Sequence, residues 1–252
     1  MTALHLLLPD WPAPPCVRAA FTLRAGGISA GSYASLNLGQ HVGDDALAVA
    51  ENRRRVAAAL LLPAEPLWLS QVHSTAVVAA DRLPPNAIAP QGDAALTRQP
   101  GRVLAVLVAD CLPVLLAQRD GAAVAVAHAG WRGLAAGVIE SSVAALGYGG
   151  EQLHAWLGPA IGPAHFEVGA EVRAAFCARD AEAAAAFVAN ERGRWQCDLH
   201  MLVRQRLSAL GVRSIHGEPR CTYGEPDAFY SFRRDGSTGR MGALIWLSGG
   251  PC

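Results

Sequence analysis

RVLAVLVADCLPVLLAQRDGAAVAVAHAGWRG, residues 102–133, contains two short apolar runs, RVLAVLVA (102–109) and AAVAVA (122–127). Neither shows the apolar–polar alternation of a strand with one wet face, and both are far too short to span a membrane. Continuous runs of this length predict strands buried on both sides. Outward from this segment, LWLSQV (67–72), LHAWLG (153–158) and MGALIWL (241–247) read the same way. VRAAFTLR (17–24) also has strand character and runs into the Gly- and Ser-rich turn AGGISAGSY. Helices are expected at 46–62, 134–146, 169–189 and 198–210, the last capped by Asp198 and stopped by Gly211. The alternation predicts a mixed α/β (α+β) fold, layered sheets flanked by helices, as one domain over residues 1–252. The Pro-rich segments DWPAPP (10–15) and LPPNAIAP (83–90) read as surface connections, and there is no internal repeat.

Composition excludes several classes of function. A hydrophobic fraction of 52% with 17% charged residues is incompatible with a disordered chain, and no apolar run is long enough for a membrane helix. Twenty-one basic residues balance 21 acidic ones, so no net field draws the chain to nucleic acid or to anionic lipid. All 21 basic residues are arginine, which removes Schiff-base, pyridoxal phosphate and P-loop lysine chemistry. Arg53, Arg54 and Arg55 read as a solvated helix face. Cysteines 16, 111, 177, 197, 221 and 252 form no CxxC pair, and MTALHLLLPDWP lacks the basic start of a signal peptide. A reducing cytoplasm without disulfides is expected, with Cys252 incidental.

His73 follows LWLSQV, Cys111 follows RVLAVLVAD and His128 follows AAVAVA, so each stands at the end of a buried run. If those strands share one sheet in one sense, the three side chains meet at its rim, where α/β proteins place ligands. Two imidazoles and a thiolate suit Zn²⁺, with Cu²⁺ as the alternative, and three protein ligands leave a fourth position open for chemistry. The bland readings are a hydrogen-bonded structural histidine and a small buried cysteine, and the long intervals match no compact zinc motif.

SQVHS (70–74), QGDAALT (91–97), VADCLPVLLA (108–117), VAVAHAGWRGLAAGVIE (124–140), LGPAIGPAHFEVG (157–169) and CTYGEPDAFYSFRRDGSTGRMGALIWL (221–247) resemble the successive motifs of the YfiH/YlmD family. The resemblance begins at TLRAGGISAGSYASLNLGQHVGDD (22–45), so it covers nearly the whole chain. That family is known as the laccase-domain or polyphenol oxidase family, as purine nucleoside phosphorylase and as peptidoglycan editing factor. The resemblance implies metal ligation by His73, Cys111 and His128, which would also be the catalytic set. It implies phosphorolysis of adenosine, inosine, guanosine and methylthioadenosine, with adenosine deamination as a further activity.

Phosphorolysis needs an anion site beside the metal. The expected groups are Arg24 with Gly26, Gly27 and Ser29, and the paired forks of Arg233 and Arg234. An ordinary turn and a salt-bridged surface loop are their bland readings. Asn37 and Asp93 are weaker candidates for ribose or supporting contacts. GWRG opens a helix, with Arg132 facing the site or packing on Trp131. Multicopper oxidation needs several clustered histidine motifs, and none of the eight histidines forms one, so laccase chemistry is disfavoured. The H-x-E signature of zinc deaminases is absent, which leaves Glu140, Glu167 or another distant carboxylate for that role. Two rival readings use the same residues or the same fold: a cysteine hydrolase with Cys111 as nucleophile and His128 or His73 as base, and a factor that binds a peptidoglycan precursor. Subunit number is not legible.

Overall fold

The computed structural model describes residues 4–84, 87–250 and 252, so Pro85 and Asn86 of the second Pro-rich connection lie outside the described residues. In chain order the strands are β1 (Leu6–Leu7), β2 (Val17–Thr22), β3 (Leu67–Trp68), β4 (Val77–Ala79), β5 (Ala94–Thr97), β6 (Leu104–Val108), β7 (Leu112–Gln118), β8 (Val124–Ala129), β9 (Leu153–Leu157), β10 (Glu167–Val168), β11 (Phe187–Ala189), β12 (Trp195–Cys197), β13 (Ser214–His216) and β14 (Met241–Leu247). The helices are α1 (Ala46–Leu60), α2 (Trp131–Ala136), α3 (Val138–Leu146), α4 (Ala170–Cys177), α5 (Leu199–Ala209) and α6 (Phe232–Asp235). Among the described residues no helix is long and apolar enough to cross a membrane.

Two mixed sheets carry the fold. One is ordered β1-β2-β14-β6-β3 and the other β13-β9-β7-β8-β5-β4, with a small third sheet β10-β12-β11. Alternate residues of the central strands show why the apolar runs are continuous. Leu104, Val106 and Val108 of β6 and Met241, Ala243 and Ile245 of β14 pack against Leu115 and Ala117 of β7 and Val124 and Val126 of β8. Their opposite faces are covered as well. Ala105, Leu107, Leu244 and Trp246 meet Val56 of α1, while Leu112, Val114, Leu116, Ala125 and Ala127 join one cluster with Ile139 of α3 and Leu202 of α5. The result is four layers, helix on sheet on sheet on helix. Each fully buried Val or Leu contributes about 1.5–3 kcal/mol of transfer free energy.

Several expectations need correction. The strands before Cys111 and His128 do not share a sheet, since β6 and β8 belong to opposite layers. The run LWLSQV is hydrogen-bonded as strand only at Leu67–Trp68. Beyond it the Gln71 side chain continues the pairing by donating to the Leu107 carbonyl at 2.9 Å and accepting the Leu107 N–H at 2.8 Å. The helix expected at 169–189 ends at Cys177, because the Asp180 carboxylate accepts the Glu182 N–H and starts a 3₁₀ turn, after which Phe187 enters β11. The helix expected at 134–146 breaks at Gly137, whose φ of 112° is open to glycine.

The arginine run is only partly solvated. Arg54 pairs with Glu51 in solvent, but Arg53 donates to the Leu38 carbonyl and lies 4.0 Å over the Trp68 ring. The expectation of no disulfide is also overturned: Cys16 and Cys252 are bonded. Val17 and Leu247 are register partners in β2 and β14, so the residues flanking this strand pair are brought to one end of the sheet.

Candidate metal centre and its cavity

Between β6 and β7 the chain crosses from one sheet to the other, and Cys111 sits in that crossing. Its neighbour Asp110 has φ 90°, a conformation disfavoured for a residue with a side chain. Three contacts hold it there: the Asp110 carbonyl accepts Ile161 N–H at 2.9 Å, Oδ1 accepts the Thr222 hydroxyl at 2.6 Å, and Oδ2 accepts Arg233 N–H at 2.7 Å. The turn is thereby fixed and Cys111 is presented at the rim.

His73 stands on the loop after β3 with φ 60°. That loop wraps the carboxylate of Asp93, which is fully buried and accepts N–H from Val72 (3.2 Å), His73 (3.0 Å) and Ser74 (2.6 Å), together with the Ser74 hydroxyl at 2.9 Å. The same carboxylate lies 2.9 Å from Nδ1 of His128, in β8. An ionised carboxylate only accepts, so Nδ1 carries a proton and Nε2 is the nitrogen left to ligate an ion. Asp93 thus orients one histidine through its ring and another through its backbone, as a carboxylate behind metal-binding imidazoles does.

The ligand atoms of His73, Cys111 and His128 all lie within 4.8 Å of one another, with Cys111 Sγ 4.0 Å from His73 Nε2. Gly130 leaves the space between them: a Cβ there would fall 2.7 Å from His73 Cδ2 and 3.0 Å from Cys111 Sγ. Donor chemistry, the Asp93 support and this clearance all fit a soft or borderline divalent ion such as zinc or copper. Without an ion, Cys111 and His128 stabilise each other's charged forms. Burial opposes the thiolate of Cys111, but the charge and hydrogen bonds of His128 and His73 outweigh it and lower its pKa to about 6. For His128, burial is outweighed by Cys111 and Asp93, which raise the pKa to about 9. Burial likewise opposes the charge of Asp93, yet hydrogen bonds from His128 and Ser74 hold it well below the usual carboxylate range.

The three ligands open into a cavity of about 500 Å³. Leu107, Ile161, Phe166 and Leu199 form apolar lining, and Arg132, Arg233 and Arg240 bring positive charge. Asp110 is the one carboxylate that lines it. Of the residues anticipated for an anion, only Arg233 lines this cavity; one of its nitrogens donates to the Glu167 carbonyl at 2.7 Å. Arg234 turns away, donating to the carbonyls of Thr222, Tyr223 and Phe229 and to Asp235. The structure does not bring Arg24, Gly26, Gly27, Ser29 or Asn37 to the metal cavity. Arg24 donates to the Ala34 and Pro226 carbonyls, Gly26 and Gly27 N–H to Ser35 Oγ, and Ser29 to Asp44. Buried Asn37 accepts N–H from Gly39 and Arg240.

Arg132 does both things considered for it, lining the cavity and lying 4.4 Å over the Trp131 ring. Glu140 pairs with Arg206 and Arg179, and Glu167 with Arg192, so neither reaches the centre. Sequence reasoning missed His41, Phe232 and Arg240. A single Arg in GSTGRMG carries no spacing signal, and only the fold brings it beside Cys111.

Residues 18–248 match the family described as multi-copper polyphenol oxidoreductase laccase. The chain is 51% identical over 242 residues to a purine nucleoside phosphorylase of Pseudomonas aeruginosa, covering 96% of this chain and 98% of that protein. Identity to the purine nucleoside phosphorylase YfiH of Escherichia coli is 50% at the same coverage. A crystal structure of a Neisseria meningitidis protein superposes with a TM-score of 0.93 at 47% identity, covering 97% of this chain and 99% of that one.

Proposed function

The chain belongs to the multi-copper polyphenol oxidoreductase laccase family, and from that premise we propose that it is a metal-dependent purine nucleoside phosphorylase, with zinc, or alternatively copper, at His73, Cys111 and His128. One observation carries the reading: a His₂Cys centre with an open side faces a cavity whose charge is set by three arginines against one engaged carboxylate. Relatives about half identical over almost their full length are named purine nucleoside phosphorylase, which supports it. Adenosine, inosine, guanosine and methylthioadenosine are the proposed substrates, and the cytoplasm the proposed location.

In phosphorolysis the bond from C1′ of the ribose to the base breaks, a phosphate oxygen bonds to C1′, and the base leaves with a proton. The ion, when bound, supplies Lewis acidity toward the substrate. Arg233 and Arg240 hold the phosphate as guanidinium forks, and Asp110 fixes Arg233 through its backbone N–H. The apolar lining limits competing hydrolysis by excluding water. Adenosine deamination is the weaker half of the reading. It needs a carboxylate at the centre, and both oxygens of Asp110 already accept hydrogen bonds.

The lowered pKa of Cys111 beside His128 would equally suit a cysteine nucleophile. Metal analysis and nucleoside turnover on one purified sample, with products assayed for free base, ribose 1-phosphate and ammonia, test the proposal. About one divalent ion per chain and phosphate-dependent release of base are expected. A metal-free preparation with full activity would favour the hydrolase, as would rapid alkylation of Cys111 while metal is bound. Turnover of muropeptides in place of nucleosides would favour the editing factor.

A further inference from the structure

Nine large apolar side chains are exposed among the described residues, and Phe232 is the only aromatic one. It is 58% exposed, and it is also the only one of the nine that lines the metal cavity. The lining residues Leu107, Ile161, Phe166 and Leu199 are buried within the fold, so their apolar surface is already used in packing. Phe232 contributes little to the core, and folding alone does not account for an open aromatic ring in that place.

Its position relative to the charged groups is informative. Phe232 opens α6, with Ser231 as the N-cap that accepts Arg234 N–H, and Arg233 follows directly. The Asp110 carboxylate holds the Arg233 backbone, so the first turn of α6 is tied to the turn that carries Cys111. The Arg240 guanidinium carbon lies 5.9 Å from the centre of the Phe232 ring. An aromatic face and the Arg240 guanidinium therefore stand together, and the Arg233 guanidinium lines the same cavity 5.2 Å over the Phe166 ring. A purine nucleoside undergoing phosphorolysis has this arrangement of needs, because its flat base and the attacking phosphate are joined through one ribose carbon. Trp131 is the more closely covered ring, with the Arg132 guanidinium 4.4 Å over its centre against 5.9 Å for Arg240 over Phe232.

We propose that Phe232 is the base-stacking residue, with the purine ring of the nucleoside lying on its face while Arg233 and Arg240 hold the anion beside it. The inference rests on the nucleoside reading given above. Stacking on an aromatic ring tolerates different bases because every purine offers the same flat π-face, so Phe232 supports a broad purine range without selecting among its members.

The test measures phosphorolysis of inosine and adenosine by the metal-loaded enzyme and, independently of turnover, binding of the free bases hypoxanthine and adenine. Phe232→Ala should raise the KM for nucleoside about tenfold or more, the range expected for one lost base–aromatic stack, while the KM for phosphate stays within about twofold. Base affinity should fall by the same factor. Phe232→Tyr and Phe232→Trp should restore both, and Phe232→Leu, which keeps apolar bulk without a π-face, should not. Metal content and melting temperature should stay unchanged in all four. If the parent enzyme turns over nucleosides and binds bases, but Phe232→Ala leaves both values unchanged or Phe232→Leu restores them, base stacking is overturned while the phosphorylase reading stands. A parent enzyme that neither turns over nucleosides nor binds bases overturns both.

Discussion

Asp93 accepts the ring N–H of His128 at 2.9 Å and the backbone N–H of His73 at 3.0 Å through the same carboxylate oxygen. Two ligands contributed by different parts of the chain are therefore positioned by one buried atom. Asp93→Asn removes the charge and presents a donor where donors already converge. Metal affinity should drop roughly 10–100-fold, the usual cost of losing an outer partner of a metal-bound histidine. Competition against a chelator measures this, and an unchanged affinity would sink the assigned role. The melting temperature should also fall, because the part-buried N–H groups of Val72 and Ser74 lose an ionic acceptor.

Gly130 is predicted to be essential for metal and dispensable for folding. Gly130→Ala places a methyl group against His73 and Cys111, with no backbone penalty expected since Gly130 has φ −66°. The purified variant should contain well below one ion per chain while its circular dichroism and melting temperature stay close to the parent. Full metal occupancy would show that His73 and Cys111 separate freely and that the site is less rigid than described.

Arg233, Arg234 and Arg240 should divide by role. Arg240→Ala and Arg233→Ala should raise the KM for phosphate at least tenfold and the KM for nucleoside much less, because only the anion loses a partner. Arg234→Ala should instead lower the melting temperature with little effect on either KM, since its guanidinium caps the carbonyls of Thr222, Tyr223 and Phe229. A phosphate-specific effect at Arg234 would restore the adjacent pair as the anion site.

Acid should destabilise the fold through His200 and His154, two buried histidines with lowered pKa values. Burial holds His200 below its ordinary value of 6.5, against its hydrogen bond to the Gly158 carbonyl and the charge of Asp198, while Arg204 adds to the lowering. Burial also lowers His154, with Arg119 and His216 adding to the effect. A depressed pKa means that below about pH 6.5 the unfolded chain takes up protons that the folded chain refuses. The stability that His200 and His154 contribute is therefore complete above pH 6.5 and declines as pH falls through their folded values. Urea midpoints at pH 7.5 and 5.5 should show the loss, and His200→Gln, which can still donate to Gly158, should reduce the difference. Equal slopes in parent and variant would remove His200 from the account.

The layered α/β character was legible because runs such as LAVLV and AAVAVA contain no polar residue, and such runs require cover on both faces. Cap residues were legible too: Asp198 accepts the Met201 N–H at the start of α5, as its place before an apolar-periodic stretch implied. The three candidate ligands could be picked out by residue type and by resemblance, but not the way they meet. Nothing in the sequence shows that the chain changes sheets at Asp110–Cys111, because pairing depends on contacts between residues more than a hundred positions apart, such as Val108 with Met241. The residues proposed for the anion were legible only where a charged pair stood out, and that signal chose Arg234 over Arg240. Charge spacing along the chain does not reveal which guanidinium lines the cavity.

The passage of the chain between layers at Asp110–Cys111 has a mechanical consequence. His128 is fixed to one sheet, Cys111 lies in the strap between the two, and His73 hangs from the edge of the other. An ion held by all three acts as a rivet through two plates: it can be gripped only while the plates keep their spacing at that end. Metal affinity is then a gauge of how tightly the sheets are clamped, and a core substitution far from the rivet, at Val106 or Leu115 for instance, can loosen the grip without touching a ligand.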